Sequence, residues 1–253
     1  QAQHTRAREL LEEALRLFTV AENVLGQANA HYALGNVESA VSRVAVARAH
    51  FDKALRLFEA SGHRQGQAMT LLGLGFLERL CNNNDGARNA YERALALYHS
   101  SSDYAGAGDA QRVLGAFERE LGHVEVARKY FEESLSSSRK VSDRLGEGNC
   151  FVDLGSLALR VGQHDIARHH FEDALFLFKN LDQQLGLGNA HFCLGNLELE
   201  LGRHDASREQ FNKARALYLE CDHRQGHANV HKGLGLLESA LGNFEKAHKH
   251  FQE

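Results

Sequence analysis

A leucine–glycine pair returns every forty residues along this chain, at Leu34-Gly35, Leu74-Gly75, Leu114-Gly115, Leu154-Gly155, Leu194-Gly195 and Leu234-Gly235. A second glycine keeps the same step at Gly26, Gly66, Gly106, Gly146, Gly186 and Gly226. Self-similarity at a fixed period of this size marks stacked supersecondary units, each of which buries its apolar face only against its neighbours. The length of 253 residues would suggest one or two globular domains. The repeat replaces that expectation with an array that grows by addition.

Residues 146–180 show one unit. From Gly146 to Val161, Phe151, Leu154, Leu157 or Ala158, and Val161 recur at helical spacing. Gly162-Gln163-His164-Asp165 reads as a turn, with Asp165 placed for the first turn of a second helix. That helix carries Ile166, Ala167, Phe171, Ala174, Leu175, Leu177 and Phe178, and Asn180-Leu181-Asp182-Gln183-Gln184 follows as a longer turn. The unit is therefore helix A, short turn, helix B, longer turn. Proline is absent, so glycine, asparagine and aspartate must supply the turns.

The columns suggest the packing. Small residues recur at Ala47, Ala87, Ala127, Ala167, Ser207 and Ala247, and four residues on come Phe51, Tyr91, Phe131, Phe171, Phe211 and Phe251. A further small column holds Ala54, Ala94, Ser134, Ala174 and Ala214. Small residues let helices approach, and an aromatic fills the space beside them. A helical glycine costs about 1 kcal/mol against alanine, so the Leu-Gly glycine points to a close backbone approach. Gly122, Gly162, Gly202 and Gly242 form a third glycine column, in the A–B turn.

These columns resemble the tetratricopeptide repeat over the whole chain: Leu-Gly in helix A, a glycine at the turn, then Ala, an aromatic four later and Ala three later in helix B. The period is 40 rather than 34, with the extra residues expected in the B-to-A turn. The closing proline is missing, and His31, Leu71, Gln111, Phe151, His191 and His231 replace the usual helix A aromatic. Leu-Gly-Asn at 34–36 and 194–196 and Asp-Arg-x-Gly at 143–146 are similar to the Pins (Leu-Gly-Asn repeat) scaffolds, and equally to the sensor arrays of signalling ATPases. The G-protein-binding motifs of the first and the nucleotide module of the second are absent from this chain.

The resemblance implies an all-α, right-handed superhelical solenoid of antiparallel helix pairs. About six repeats are expected, at 26–60, 66–100, 106–140, 146–180, 186–220 and 226–253, after a leading helix B at 1–22, all in one domain over 1–253. Both ends fall inside a helix B without a polar cap, which points to a piece of a longer protein.

In the resembled fold, helix A lines a concave groove. The positions six before the Leu-Gly glycine read Asn29, Met69, Asp109, Asn149, Asn189 and Asn229, with Asn36 and Asn196 just after it. An asparagine ladder suits the backbone of an extended peptide; a solvent-tolerant helix face is the alternative. In repeat 2, Met69, Leu72, Phe76, Arg79 and Leu80 would make an exposed apolar patch, unless that stripe turns inward as core. Asp109, Arg112, Arg119 and Glu120 bring both charges in repeat 3, Tyr32 and Phe192 offer anchors, and Lys232 closes the set.

Glu38, Glu78, Glu118, Glu198 and Glu238 form one column and Arg48, Arg88, Arg128, Arg168 and Arg208 another on helix B, so that Glu38, Glu78, Glu118 and Glu198 each stand ten residues before an arginine. Partly buried Glu–Arg pairs between the helices of one repeat are expected, two solvated faces being the alternative. Anomalies cluster at 134–160: Ser137 and Ser138 break a Leu and an aromatic column, Ser134 replaces alanine, Asp153 enters a column of mostly small residues, and Ala158 interrupts the glutamates. A weak junction, a pocket or tolerated drift would each account for them.

Several classes are disfavoured. A net charge of −4 offers no excess of Lys and Arg for phosphate backbones, so no nucleic-acid role is expected. No apolar run approaches the length of a membrane span. Cys81, Cys150, Cys193 and Cys221 form no CxxC pair and read as free thiols of a cytoplasmic protein. His227 and His231 share a helix face, but no carboxylate or cysteine completes a metal set, and no catalytic grouping stands out. The expectation is a non-enzymatic scaffold without cofactor that binds a protein or peptide segment, or else a ligand-sensing or autoinhibitory arm of a signalling ATPase.

Overall fold

The computed structural model describes residues 2–252, and all regular structure among them is α-helical. The helices are α1 Ala2–Val20, α2 Val24–Ala40, α3 Val44–Ala60, α4 Arg64–Leu80, α5 Asn84–Ser100, α6 Tyr104–Glu120, α7 Val124–Lys140, α8 Arg144–Arg160, α9 His164–Asn180, α10 Gln184–Glu200, α11 His204–Glu220, α12 Arg224–Ala240 and α13 Phe244–Gln252. Even-numbered helices are the A helices and odd-numbered ones the B helices. The array of antiparallel helix pairs expected from the columns is present.

The turn lengths differ from the expectation. Each complete repeat has two helices of 17 residues, as in α8 and α9, and the B-to-A connection is as short as the A-to-B one. The extra residues of the forty-residue period lengthen the helices. The leading helix correspondingly ends at Val20.

Every connection is built alike. Its middle residue has positive φ: Gly62, Gly122, Gly162, Gly202 and Gly242, but also Glu22, Ser42, Asn82, Ser102, Ser142, Asp182 and Asp222. The next amide then donates back to the carbonyl five residues earlier, as His63 does to Phe58 and Gln163 to Ala158 at 2.9 Å. This is the Schellman closure of a helix. The backbone thus repeats every twenty residues, while the sequence repeats every forty because A and B helices bury different faces. Asn23, His63, Asn83, Asp103, Asp143 and His223 then cap the next helix by accepting the amide hydrogen of the glycine or equivalent residue three positions on.

The chain divides into two compact units, residues 1–114 and 115–253. In the first, Ala47, Phe51, Leu71, Leu74 and Leu77 form one core and Ala28, Ala54 and Phe58 another. In the second, Phe131, Leu154 and Leu157, then Phe171, Leu194 and Leu197, then Phe211, Leu234 and Leu237 repeat the same arrangement. The Leu-Gly glycine is where the two helices of a repeat meet. A Cβ at Gly35 would stand 2.6 Å from the Phe51 ring, and one at Gly155 or Gly195 2.5 Å from Phe171 or Phe211. The close approach read from the glycine column is therefore real.

The irregular stretch keeps its helices. Ser134, Ser137 and Ser138 are buried, and the Cys150 thiol donates to Ser134 at 3.2 Å. Nearby, Glu147, 5% exposed, is held by Arg144 at 3.2 Å and approached by Arg139 at 3.9 Å.

One helix A substitution has a pH consequence. His31 and His50 face each other, Nδ1 to Nδ1, at 3.0 Å. Burial first, then His50 and Lys53, lowers His31 to about 4, and burial also lowers His50. The unfolded chain, titrating near 6.5, therefore binds more protons than the folded one between about pH 6.5 and 4. The corresponding stability is present above that window and is lost as pH falls through it. Repeat 2 holds Leu71 and Ala90 at these positions. The double change His31→Leu with His50→Ala should therefore lose less of its urea midpoint between pH 7 and 4.5 than the wild type does. Equal losses would contradict the assignment.

Candidate peptide-binding surface

Helix A residues of the first unit build a hollow of about 580 Å³. Tyr32, Asn36, Ser39 and Ala40 come from α2, Met69, Leu72, Gly73 and Phe76 from α4, and Phe51, Tyr98 and Asp109 from α3, α5 and α6. The periodicity of α4 explains the apolar wall. Leu71, Leu74 and Leu77 point into the core, 2%, 9% and 0% exposed. Met69 and Phe76, on another face of the same helix, are each 37% exposed, and Leu72 is half-buried. The stripe does not turn inward as core.

Gly73 shapes the floor. A Cβ there would meet Cζ of Phe51 at 2.8 Å, so the glycine lets α4 pack directly over that buried ring and keeps the floor free of a side chain. Tyr32 lies 6.0 Å from that ring, centroid to centroid, and the Arg79 guanidinium sits 5.1 Å over Phe76. The polar side is Asn36, Asp109 and Tyr98. Burial, helped by Asp103 and Asp109, pushes the Tyr98 phenol up to about 12, so it stays a neutral hydrogen-bonding group at physiological pH.

Of the residues singled out from the sequence, Tyr32, Asn36, Met69, Leu72, Phe76 and Asp109 share this hollow, with Arg79 at its edge. Asn29 is exposed on α2 and Arg112 half-buried on α6, and neither lines the hollow. Ser39, Ala40, Gly73 and Tyr98 line it without having been singled out. Ser39 and Ala40 obey the same helix A spacing, whereas Gly73 and Tyr98 carry no signal in that spacing.

The second unit holds the others: Arg119, Asn149, Asn189, Phe192, Asn196, Asn229 and Lys232. Asn229 and Lys232 are exposed, and Asn149 and Asn196 half-buried. Phe192 stands 5.8 Å from Phe211, repeating the Tyr32–Phe51 contact. Two expected groups have intramolecular partners. The Asn189 carbonyl oxygen accepts from the Tyr218 hydroxyl at 2.7 Å, and Arg119 pairs with Asp153 at 3.5 Å. The asparagine column is thus partly spent on the fold.

The Glu–Arg pairs form, but in a different register. Arg48 reaches Glu78 at 2.6 Å, Arg168 reaches Glu198 at 2.5 Å and Arg208 reaches Glu238 at 2.6 Å. Each arginine is thirty residues before its glutamate, so helix B is tied to helix A of the next repeat, not to its own. The second carboxylate oxygen meets the residue five positions on: Arg43 for Glu38 at 3.3 Å, Asn83 for Glu78 at 2.7 Å, His123 for Glu118 at 2.6 Å, Arg203 for Glu198 at 3.5 Å and Asn243 for Glu238 at 2.8 Å. A two-armed clasp therefore grips a carboxylate. Arg48 chiefly holds Glu78 below the usual carboxylate range, and Asn243 chiefly, with Arg208, does so for Glu238.

Among the described residues no group of three or more His, Cys, Asp or Glu side chains is placed to hold a metal ion, and no helix is long and apolar enough to cross a membrane. All four cysteines are free thiols.

Family models described as tetratricopeptide repeat match residues 26–100, 106–180 and 186–253, and a second such model matches residues 152–218. No curated protein sequence matches the chain significantly. Among solved structures, aspartyl phosphate phosphatase F from Bacillus subtilis is similar with a TM-score of 0.76 at 11% identity, over 96% of this chain and 63% of that one. The Rap conjugation gene regulator of the plasmid pLS20, in complex with the Phr* peptide, gives 0.72 at 17% identity, over 99% and 68%. BtubC (BKLC) from P. vanneervenii gives 0.69 at 18% identity, over 88% and 91%. At these identities the likeness is one of fold.

Proposed function

Because this chain belongs to the tetratricopeptide repeat family, we propose that it is a non-enzymatic scaffold whose first unit captures a peptide segment of a partner protein in the hollow between α2 and α4. The observation that carries this reading is a contiguous apolar wall, Met69, Leu72 and Phe76, left outside the core and faced by Asn36 and Asp109. Apolar surface of this kind is costly to leave in water, and polar groups beside it fix the direction of an extended backbone. The fitting ligand is amphipathic: apolar side chains against α4, backbone or basic groups towards Asn36 and Asp109.

The same hollow would serve a sensing arm of a larger signalling protein. The structural likeness to a regulator solved with its Phr* peptide favours a peptide as the ligand in that case too. Assignment to the Pins-like scaffolds or to ATPase sensor arrays rests on Leu-Gly-Asn and Asp-Arg-x-Gly alone. A cytoplasmic setting, without nucleic acid, fits the free thiols and the charge of −4.

Selection of a random twelve-residue peptide library on the purified protein supplies the probe. The change Leu72→Glu with Phe76→Glu should weaken selected peptides at least about 100-fold, because two apolar anchors at roughly 1.5–3 kcal/mol each are lost. Far-UV circular dichroism should stay unchanged, Phe76 being exposed and Leu72 only half-buried at the margin of the core. Undiminished affinity in the helical variant would reject the hollow as the site.

A further inference from the structure

The clasp that grips a glutamate in repeats 2, 5 and 6 is present in repeat 4 without its carboxylate. At that position stands Ala158, 6% exposed. Both arms are nonetheless in the sequence: Arg128, thirty residues before, and Gln163, five residues after. These are the positions of Arg48 and Asn83 around Glu78, and of Arg168 and Arg203 around Glu198. Beside Ala158 there is a cavity of about 240 Å³, lined by Arg128, Leu135, Leu157, Ala158, Gln163 and His170 among others.

The polar groups facing this cavity are under-used. Among the described residues, Nε of Arg128 is buried with no hydrogen-bond partner, and so is Nδ1 of His170. Among the described residues Arg128 otherwise pairs with Glu125 of its own helix, at 3.5 Å, and that side chain is 82% exposed. A buried guanidinium edge without an acceptor is a costly arrangement, and an anion relieves it. Glu132 also lines the cavity. It does not exclude an anion, because Asp52 and Glu172 occupy the same place in the repeats whose clasps hold Glu78 and Glu198.

We propose that the Ala158 cavity is a binding site for a carboxylate presented from outside the chain, as an acidic side chain, a chain terminus or a small carboxylic acid, held by Arg128 and Gln163 as the neighbouring clasps hold their own glutamates. The apolar walls of Leu135 and Leu157 receive the carbon attached to it. The site lies in the second unit and is independent of the hollow between α2 and α4. The fragment that separates alanine from glutamate is the size of acetate, so acetate is the minimal probe.

The test follows the Nε–Hε cross-peak of Arg128 by NMR while sodium acetate is raised to about 200 mM, since so small a ligand binds weakly. Sodium chloride at equal ionic strength is the control. The peak should shift saturably with acetate and not with chloride. The Ala158→Glu variant should fill the cavity from within, raise the melting temperature and abolish the acetate response. Arg128→Gln should melt without the acetate-dependent rise that the wild type shows, which keeps the test open if the first variant folds poorly. Two blocked five-residue peptides then separate the sources, one with a single internal glutamate and an amidated end, the other all alanine with a free carboxyl end. Whichever displaces acetate names the presenting group, and displacement by neither assigns the site to small carboxylic acids. A non-saturable shift, an equal shift with chloride, or an undiminished acetate response in the Ala158→Glu protein would overturn the proposal.

Discussion

Replacing Phe171 by alanine is expected to lower the free energy of unfolding by about 3–5 kcal/mol, the usual cost of emptying a fully buried aromatic site. The ring is 0% exposed and joins three layers: Gly155 of α8 on one side, Leu194 and Leu197 of α10 on the other. In a repeat array stability is carried by nearest-neighbour interfaces, so one ring at such an interface weighs heavily. Gly155 gives the sharper half of the test. Alanine there gains about 1 kcal/mol of helix propensity, but its Cβ would stand 2.5 Å from the Phe171 ring. Overpacking of this kind costs roughly 1–3 kcal/mol, and the buried ring has nowhere to go. Gly155→Ala should therefore destabilise the wild type, yet stabilise the Phe171→Ala protein, whose cavity accepts the methyl. Urea unfolding followed by circular dichroism reads both. A stabilising Gly155→Ala in the wild type would show that the close approach is not what the glycine serves.

Cutting one arm of a clasp is the second large effect. Arg168→Leu leaves Glu198, its side chain 7% exposed, with Arg203 alone at 3.5 Å. Stranding a buried carboxylate costs about 3–5 kcal/mol, but Arg168 is about a third exposed, and water will screen part of that, so about 2 kcal/mol is expected. Glu198→Leu should cost less, since the freed arginines reach solvent. The double change to leucine should lie close to the wild type, because the pair sets register between repeats more than it adds net stability. The coupling between the two positions, measured as a double-mutant cycle, should be at least about 1 kcal/mol. Additive losses would mean that the two side chains do not act together.

The helix pairs and their packing are legible in the sequence, because each column of small, aromatic and Leu-Gly residues reports a contact that every repeat must make. The connections were misread for a physical reason. Residues such as Gln183, Gln184, Arg144 and Arg64 open helix A on its solvated first turn, where polarity carries no periodicity. Without proline to mark the boundary, that turn looks like loop. The clasp was misassigned because a strict period cannot tell a neighbour in the same repeat from one in the next: Glu78 is equally regular with Arg88 and with Arg48. Only the stacking of helix B between two A helices decides it.

The candidate site was legible where it follows helix A spacing, as with Tyr32, Asn36, Met69, Leu72 and Phe76. It was not legible where the fold brings in other elements. Tyr98 belongs to a helix B column, and Gly73 matters for the side chain it lacks. Asn189 and Arg119 looked free in the sequence because their partners, Tyr218 and Asp153, lie 29 and 34 positions away and meet them only in the folded chain.

The central claim is that the apolar face of α4, with α2 opposite, holds the partner segment. The most direct measurement is photo-crosslinking of a library-selected peptide carrying a benzophenone side chain, followed by mass-spectrometric mapping of the attachment. Attachment to Tyr32, Met69, Leu72 or Phe76, lost when Leu72→Glu and Phe76→Glu are combined, is the expected result. Attachment confined to helix B surfaces, or unchanged by that double substitution, would contradict it.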